Sequence, residues 1–226
     1  MLRAIFDIIL PPTCHLCGTS LTESEEFICK SCLNELPRTG YHKLEDNPVE
    51  LRLAGRFPFE RASSHFFYSP NTQFATLIHD FKYRGFPSIA RSLGRLMARE
   101  LWWSGWLNDI DFVCPVPLHW SKYLRRGYNQ SEEIARGISE EAGIDLSLEL
   151  RAKRSHRTQT SFSHIERQSN VKDIFTLRHA ERYAGKTILI IDDVCTTGAT
   201  LTSAAETILA AQPTARLVLL TLAATF

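Results

Sequence analysis

Two groups of residues in this chain have types and spacings suited to chemistry. The first is Ile188-Leu189-Ile190-Ile191-Asp192-Asp193-Val194-Cys195-Thr196-Thr197-Gly198-Ala199-Thr200. Four consecutive apolar residues predict a strand buried on both faces, with two adjacent carboxylates at its C-terminal end. In open α/β sheets, ligands gather at that end. A short Thr-Thr-Gly loop then enters a helix, whose free N–H groups and dipole suit an anion. The hydroxyls of Thr196, Thr197 and Thr200 add donors, and Gly198 lets the backbone approach closely. A phosphate seated on Thr196–Thr200 leaves Asp192 and Asp193 about one sugar away, as acceptors for ribose hydroxyls. A bare phosphate loop has no use for two acids. A nucleotide P-loop needs Lys after Gly, where this chain has Ala199. Helix capping needs one such residue, not two acids and three threonines.

The second group is Cys14-x-x-Cys17 and Cys29-x-x-Cys32, separated by eleven residues. Four thiolates complete a tetrahedral set for Zn²⁺ and leave no open position, so such a metal is structural. Two disulfides, a redox pair and an iron–sulfur cluster are the competing readings. His15 lies inside the first knuckle, where four cysteines suffice without it. Cys195 has no neighbouring His base in sequence and reads as a small packed residue; Cys114 reads as core.

The elements around these groups follow from periodicity. The chain has 226 residues and a formal charge of +1, so no global field steers it to nucleic acid or membrane. No apolar run approaches the roughly 18 residues of a spanning helix. Residues 2–10 read as a short amphipathic helix. Asp7 interrupts its apolar run and Pro11-Pro12 ends it, unlike a signal-peptide core, so cytoplasmic location is the default expectation. Residues 1–40 read as a four-cysteine zinc-binding module, and 41–60, with Pro48, Gly55 and Pro58, as a linker or hood. From residue 61 strands alternate with helices. Strands are predicted over 62–68, 110–116, 187–191 and 216–222, and helices over 73–81, 89–103, 131–142 and 199–211. This pattern predicts an α/β domain over 61–226 with a mainly parallel, doubly wound sheet. Trp102, Trp103 and Trp106 read as a helix end packed on that domain.

The acidic strand end and threonine loop resemble the phosphoribosyl-diphosphate (PRPP) signature of type I phosphoribosyltransferases. Phe81-Lys82-Tyr83-Arg84-Gly85, Cys114-Pro115-Val116-Pro117-Leu118 and Arg125-Arg126-Gly127-Tyr128-Asn129-Gln130 narrow the resemblance to the ComF family. Thr158-Gln159, Arg167, Asn170, Phe175 and the cysteine pairs extend it over nearly the whole chain. The resemblance implies a type I phosphoribosyltransferase fold with a small N-terminal zinc-binding module, and Mg²⁺ carried with PRPP. It implies substrate contacts from Asp192, Asp193, Thr196, Thr197, Gly198, Ala199 and Thr200. Asp193 is also a candidate proton acceptor on its own chemistry. Lys82, Arg125, Arg126 and the loop after Val116-Pro117 are candidates for the diphosphate, a placement the resemblance supports without fixing single contacts.

Residues 151–173 carry Arg151, Lys153, Arg154, Arg157 and Arg167, with His156 and His164. Three readings stand open: a mobile loop closing over substrate, a solvated surface loop, or a track for single-stranded nucleic acid using Phe162 and the neighbouring arginines. The family is associated with DNA uptake in natural transformation. The rival function is therefore a non-catalytic PRPP sensor, or a module binding single-stranded DNA or competence and recombination proteins.

Overall fold

A computed structural model describes residues 12–153 and 174–225. The helix expected over residues 2–10 and most of the basic 151–173 stretch fall outside the described residues.

The main sheet has five parallel strands: β1 (Arg61–Phe67), β2 (Phe112–Pro115), β3 (Asp145–Leu146), β6 (Thr187–Cys195) and β7 (Arg216–Ala224). Their order is β1-β7-β6-β2-β3. A separate antiparallel pair, β4 (Leu150–Ala152) and β5 (Phe175–Leu177), flanks the undescribed segment.

Strand β6 alternates between two cores, as the unbroken apolar run predicts. Ile188 and Ile190 face a cluster containing Leu201, Ala205 and Ile208 of α7 (Ala199–Ala211). Leu189 and Ile191 face a cluster containing residues of α3 (Gln73–Tyr83), α4 (Pro87–Trp102) and α6 (Gln130–Ala142). Helices thus cover both faces, which is the doubly wound arrangement. The chain steps outward one way from β2 to β3 and the other way from β6 to β7. The adjacent β2 and β6 therefore form the switch point where an open α/β sheet leaves a crevice at its strand C-termini.

Helices α4 and α6 cross with backbones nearly touching. A Cβ on Gly94 would lie 2.1 Å from the Ile134 carbonyl oxygen, and one on Gly137 would lie 2.0 Å from that of Arg91. Arginines of α4 meet glutamates of α6 at the rims: Arg91 with Glu133 (3.4 Å) and Arg99 with Glu141 (2.9 Å). The exposed Arg99–Glu141 pair contributes little alone, and the Arg91–Glu133 pair is half-buried.

Three sequence expectations change. The strand over 187–191 runs on to Cys195, so the two acids lie within β6, because the β7 ladder continues to Ala224. Residues 48–53 form a helix, α2 (Pro48–Leu53), started by a capping box between Asn47 and Glu50. Its Val49 and Leu53 are fully buried. Of the three tryptophans, Trp106 is buried beneath the Arg61 guanidinium, whereas Trp103 is 90% exposed. Helix α4 ends at Trp102, and Trp103 is only its cap.

Candidate ligand cleft and metal site

The site is built on the β2–β6 switch point. A cleft of about 310 Å³ is lined by Val116, Pro117 and Leu118 after β2, and by Asp192, Asp193 and Val194 of β6. Lys82, His119, Lys122, Arg126, Ser131, Phe175 and Thr200 close its walls. Four separate sequence motifs thus meet in one crevice.

The paired acids sit in different electrostatic settings. Asp192 accepts from Ser131 Oγ at 2.9 Å and from the Asp193 amide at 2.8 Å. Burial, and then the adjacent Asp193 charge, push its carboxyl up to about 7. Asp193 pairs with Lys82 Nζ, from the last turn of α3, at 2.8 Å and accepts from the Val194 amide at 2.6 Å. Both side chains of the Lys82–Asp193 pair are largely shielded from solvent, so each depends on its partner.

The Arg126-Gly127-Tyr128-Asn129-Gln130 stretch is a positioning device. A short helix, α5 (Trp120–Arg126), stops at Gly127, whose left-handed φ of 80° suits glycine. Asn129 then caps α6 through the Ser131 amide (3.2 Å) and donates to the Val116 carbonyl (3.0 Å). That joins the start of α6 to the end of β2. Gln130 Oε1 accepts from Arg126 at 2.7 Å, and the Arg126 guanidinium lies 5.2 Å from the Tyr83 ring centre. Arg125 also faces that ring, at 5.7 Å, and does not line the cleft. Both arginines occupy the last turn of α5.

The Thr196–Thr200 loop joins β6 to α7. Gly198 is the N-cap, with φ of 76°. Thr196 and Thr197 are exposed, and Thr200 reaches the cleft wall. Cys195 is buried and burial raises its thiol pKa, which suits packing rather than attack. Cys114, fully buried, is pushed up to about 11 for the same reason.

Some contributors have weak sequence signals. Ser131 directly follows the Asn-Gln element and has the position of an early helix residue, which is its only clue. Lys122 and His119 follow the Pro117-Leu118 segment. Arg52 and Arg56, which hold the loop from behind, lie in the segment expected to be linker or hood.

At the N-terminal end, the sulfurs of Cys14, Cys17, Cys29 and Cys32 lie within 4.8 Å of one another. Gly18, with φ of 74°, donates to the Cys14 carbonyl at 2.9 Å, and the Cys14 amide donates to the Thr19 carbonyl at 2.8 Å. These bonds close the first knuckle. The second opens α1 (Lys30–Asn34), where the Leu33 amide donates to the Cys29 carbonyl. Burial, and then the neighbouring sulfurs, push the Cys32 thiol up, a cost that a bound dication removes. The four sulfurs fit a closed, structural Zn²⁺ site. Arg95 and Ser92 of α4 each donate to Glu26 of this module at 2.6 Å.

Residues 124–224 match the phosphoribosyl transferase domain, and residues 5–42 match the double zinc ribbon domain. The DNA utilization protein YhgH of Salmonella typhimurium is 28% identical over 214 residues, covering 89% of this chain and 92% of that protein. Competence protein F of Haemophilus influenzae is 31% identical over 130 residues, covering 55% of this chain and 57% of its own. Competence protein ComFC of Streptococcus pneumoniae is 37% identical over 94 residues, covering 42% and 39%. A phosphoribosyl transferase domain match behind a double zinc ribbon match, together with relatives of these kinds, is consistent with the resemblance to the ComF family.

Proposed function

We propose that the switch-point cleft binds PRPP and displaces its diphosphate at the anomeric carbon. The observation that carries this reading is the convergence on one crevice of two acids, Thr200 at the start of a helix and three cationic side chains, Lys82, Lys122 and Arg126, with the exposed hydroxyls of Thr196 and Thr197 in the loop that leads into that helix. Asp192 and Asp193 accept from the ribose hydroxyls, and Thr196, Thr197, Gly198, Ala199 and Thr200 take the 5-phosphate. Lys82 and Arg126 face the diphosphate, with Arg125 at the rim. Lys82 exchanges Asp193 for the substrate anion as the ligand enters. The anomeric carbon passes through an oxocarbenium-like state as the C–O bond to diphosphate breaks and an acceptor nucleophile adds. Asp193, freed of Lys82, is placed to take the acceptor's proton. The carboxylates of Asp192 and Asp193, with the substrate's own oxygens, are the hard donors that would hold Mg²⁺, and the ion would supply neutralisation of leaving-group charge.

Thermal melting with and without Mg·PRPP tests the binding step. A ligand held at about 100 times its Kd adds about 2.7 kcal/mol, several degrees in a chain this size. Diphosphate release then separates turnover from sensing: PRPP bound and never consumed makes the protein a sensor.

A DNA role is the second reading, favoured by the relatives' names and by one surface. Helix α5 exposes Trp120 and Tyr123 beside Lys122 and Arg125, aromatic faces interleaved with cations as single strands require. Its test is fluorescence anisotropy of a labelled single-stranded oligonucleotide. Affinity is expected to fall steeply with salt and to weaken in Arg125→Ala. A salt-independent signal would contradict phosphate contact.

A further inference from the structure

The Thr196–Thr200 loop is held from behind by a part of the chain about 140 residues earlier. Arg52 Nη1 donates to the Thr196 carbonyl and to the Thr225 carbonyl, both at 2.6 Å. Arg56 Nη1 donates to the Thr197 carbonyl at 2.9 Å. Leu53, between them, is fully buried under Gly198, where an added Cβ would come within 2.7 Å of its Cδ2. The loop therefore rests on α2 and the turn that follows it through two carbonyls and one tight apolar contact.

Peptide planarity turns these contacts into a statement about the loop's other side. In a trans peptide the carbonyl of one residue and the N–H of the next point in opposite directions. Holding the Thr196 carbonyl against Arg52 turns the Thr197 amide away from α2. Holding the Thr197 carbonyl against Arg56 does the same for the Gly198 amide. Among the described residues, neither amide has an acceptor. The arginines also engage the two carbonyl oxygens that would otherwise repel an anion.

Helix α2 is itself braced against the edge of the sheet. Asn47 Nδ2 donates to the Ala62 carbonyl at 2.9 Å, and Glu50 Oε1 accepts from the Ala62 amide at 3.1 Å. With Val49 and Leu53 fully buried, α2 is a strut running from β1 to the loop.

We infer that Arg52 and Arg56 are positioning residues that pre-set the amides of Thr197 and Gly198 for the 5-phosphate, an inference that rests on the PRPP reading of the cleft. Neither arginine need touch the substrate. Pre-set donors lose no freedom on binding, which is what makes a rigid anion loop tighter than a flexible one.

The test uses the zinc-loaded full chain and two probes in calorimetric titration. Ribose 5-phosphate reports on the loop, and magnesium diphosphate on the Lys82–Arg126 side. In Arg56→Ala, whose side chain is exposed, ribose 5-phosphate affinity is expected to fall about tenfold while magnesium diphosphate affinity holds. Arg52→Ala is expected to behave the same way, and Arg56→Gln serves if Arg52→Ala does not fold. The loss is expected to persist at about 0.5 M salt, where a general charge effect fades. Equal ribose 5-phosphate binding by wild type and Arg56→Ala would overturn the inference and leave the PRPP reading intact. So would a loss shared by both probes, or one that salt abolishes. Failure of wild type to bind ribose 5-phosphate or PRPP would overturn both.

Discussion

Asp192 carries an electrostatic cost that the folded chain bears for the site. Its carboxyl is pushed from 3.8 to about 7 by burial and by Asp193. Between those pH values the folded chain keeps a proton that the unfolded chain has released, so stability falls as pH rises through the window. Asp192→Asn keeps an acceptor for Ser131 and removes the charge. Melting curves are expected to place this variant above wild type at pH 8, by on the order of 1–3 kcal/mol, with the gap closing below about pH 4. A pH-independent difference would contradict the burial argument. Gly198 is constrained from two sides, by its φ of 76° and by Leu53. Gly198→Ala is expected to cost about 1–3 kcal/mol in denaturant unfolding, because the loop or Leu53 must move. The acids, threonines and Gly198 are legible in the sequence because one strand–loop–helix segment carries them all. Ser131, Arg52 and Arg56 are not, because their roles depend on contacts with residues 61 to 173 positions away.

At the scale of elements, periodicity locates most of what positions the site. Helix α7 has the predicted bounds, Ala199–Ala211, because its apolar residues and the preceding glycine agree. Strand β6 outruns its prediction because Asp192 and Asp193 have low strand propensity, yet backbone pairing with β7 continues past them. Helix α2 escapes periodicity because six residues hold less than two turns of pattern, although Asn47, Pro48 and Glu50 are a readable start signal. The α4–α6 crossing gives a prediction that opposes helix propensity. In an exposed helix, Gly→Ala gains about 0.5–1 kcal/mol. Gly94→Ala is expected instead to lose about 3 kcal/mol by chemical denaturation, since its Cβ meets a backbone oxygen rather than a movable side chain. An unchanged midpoint would mean that the helices are not held at this distance.

Over the whole molecule, a cysteine-rich module and a sheet domain share one buried core, with Cys14, Ile28 and Cys32 packed in the cluster that holds Leu93, Met97 and Ile134. Glu26 meets Arg95, and Arg38 pairs with Glu100 at 2.7 Å, so the module is clamped along α4. Zinc therefore supports more than its own knuckles. Cys29→Ser/Cys32→Ser is expected to lose its zinc, read by elemental analysis, and to melt several degrees lower. Unchanged melting of the metal-free variant would confine the metal's role to the module. The most direct test of the account as a whole is calorimetric titration of Mg·PRPP into wild type and into Asp192→Asn/Asp193→Asn. The account predicts saturable one-site binding by wild type, lost by tenfold or more in the double variant, as removal of two charge-assisted ribose contacts requires. No binding by folded, zinc-loaded wild type, or equal binding by the double variant, would contradict it.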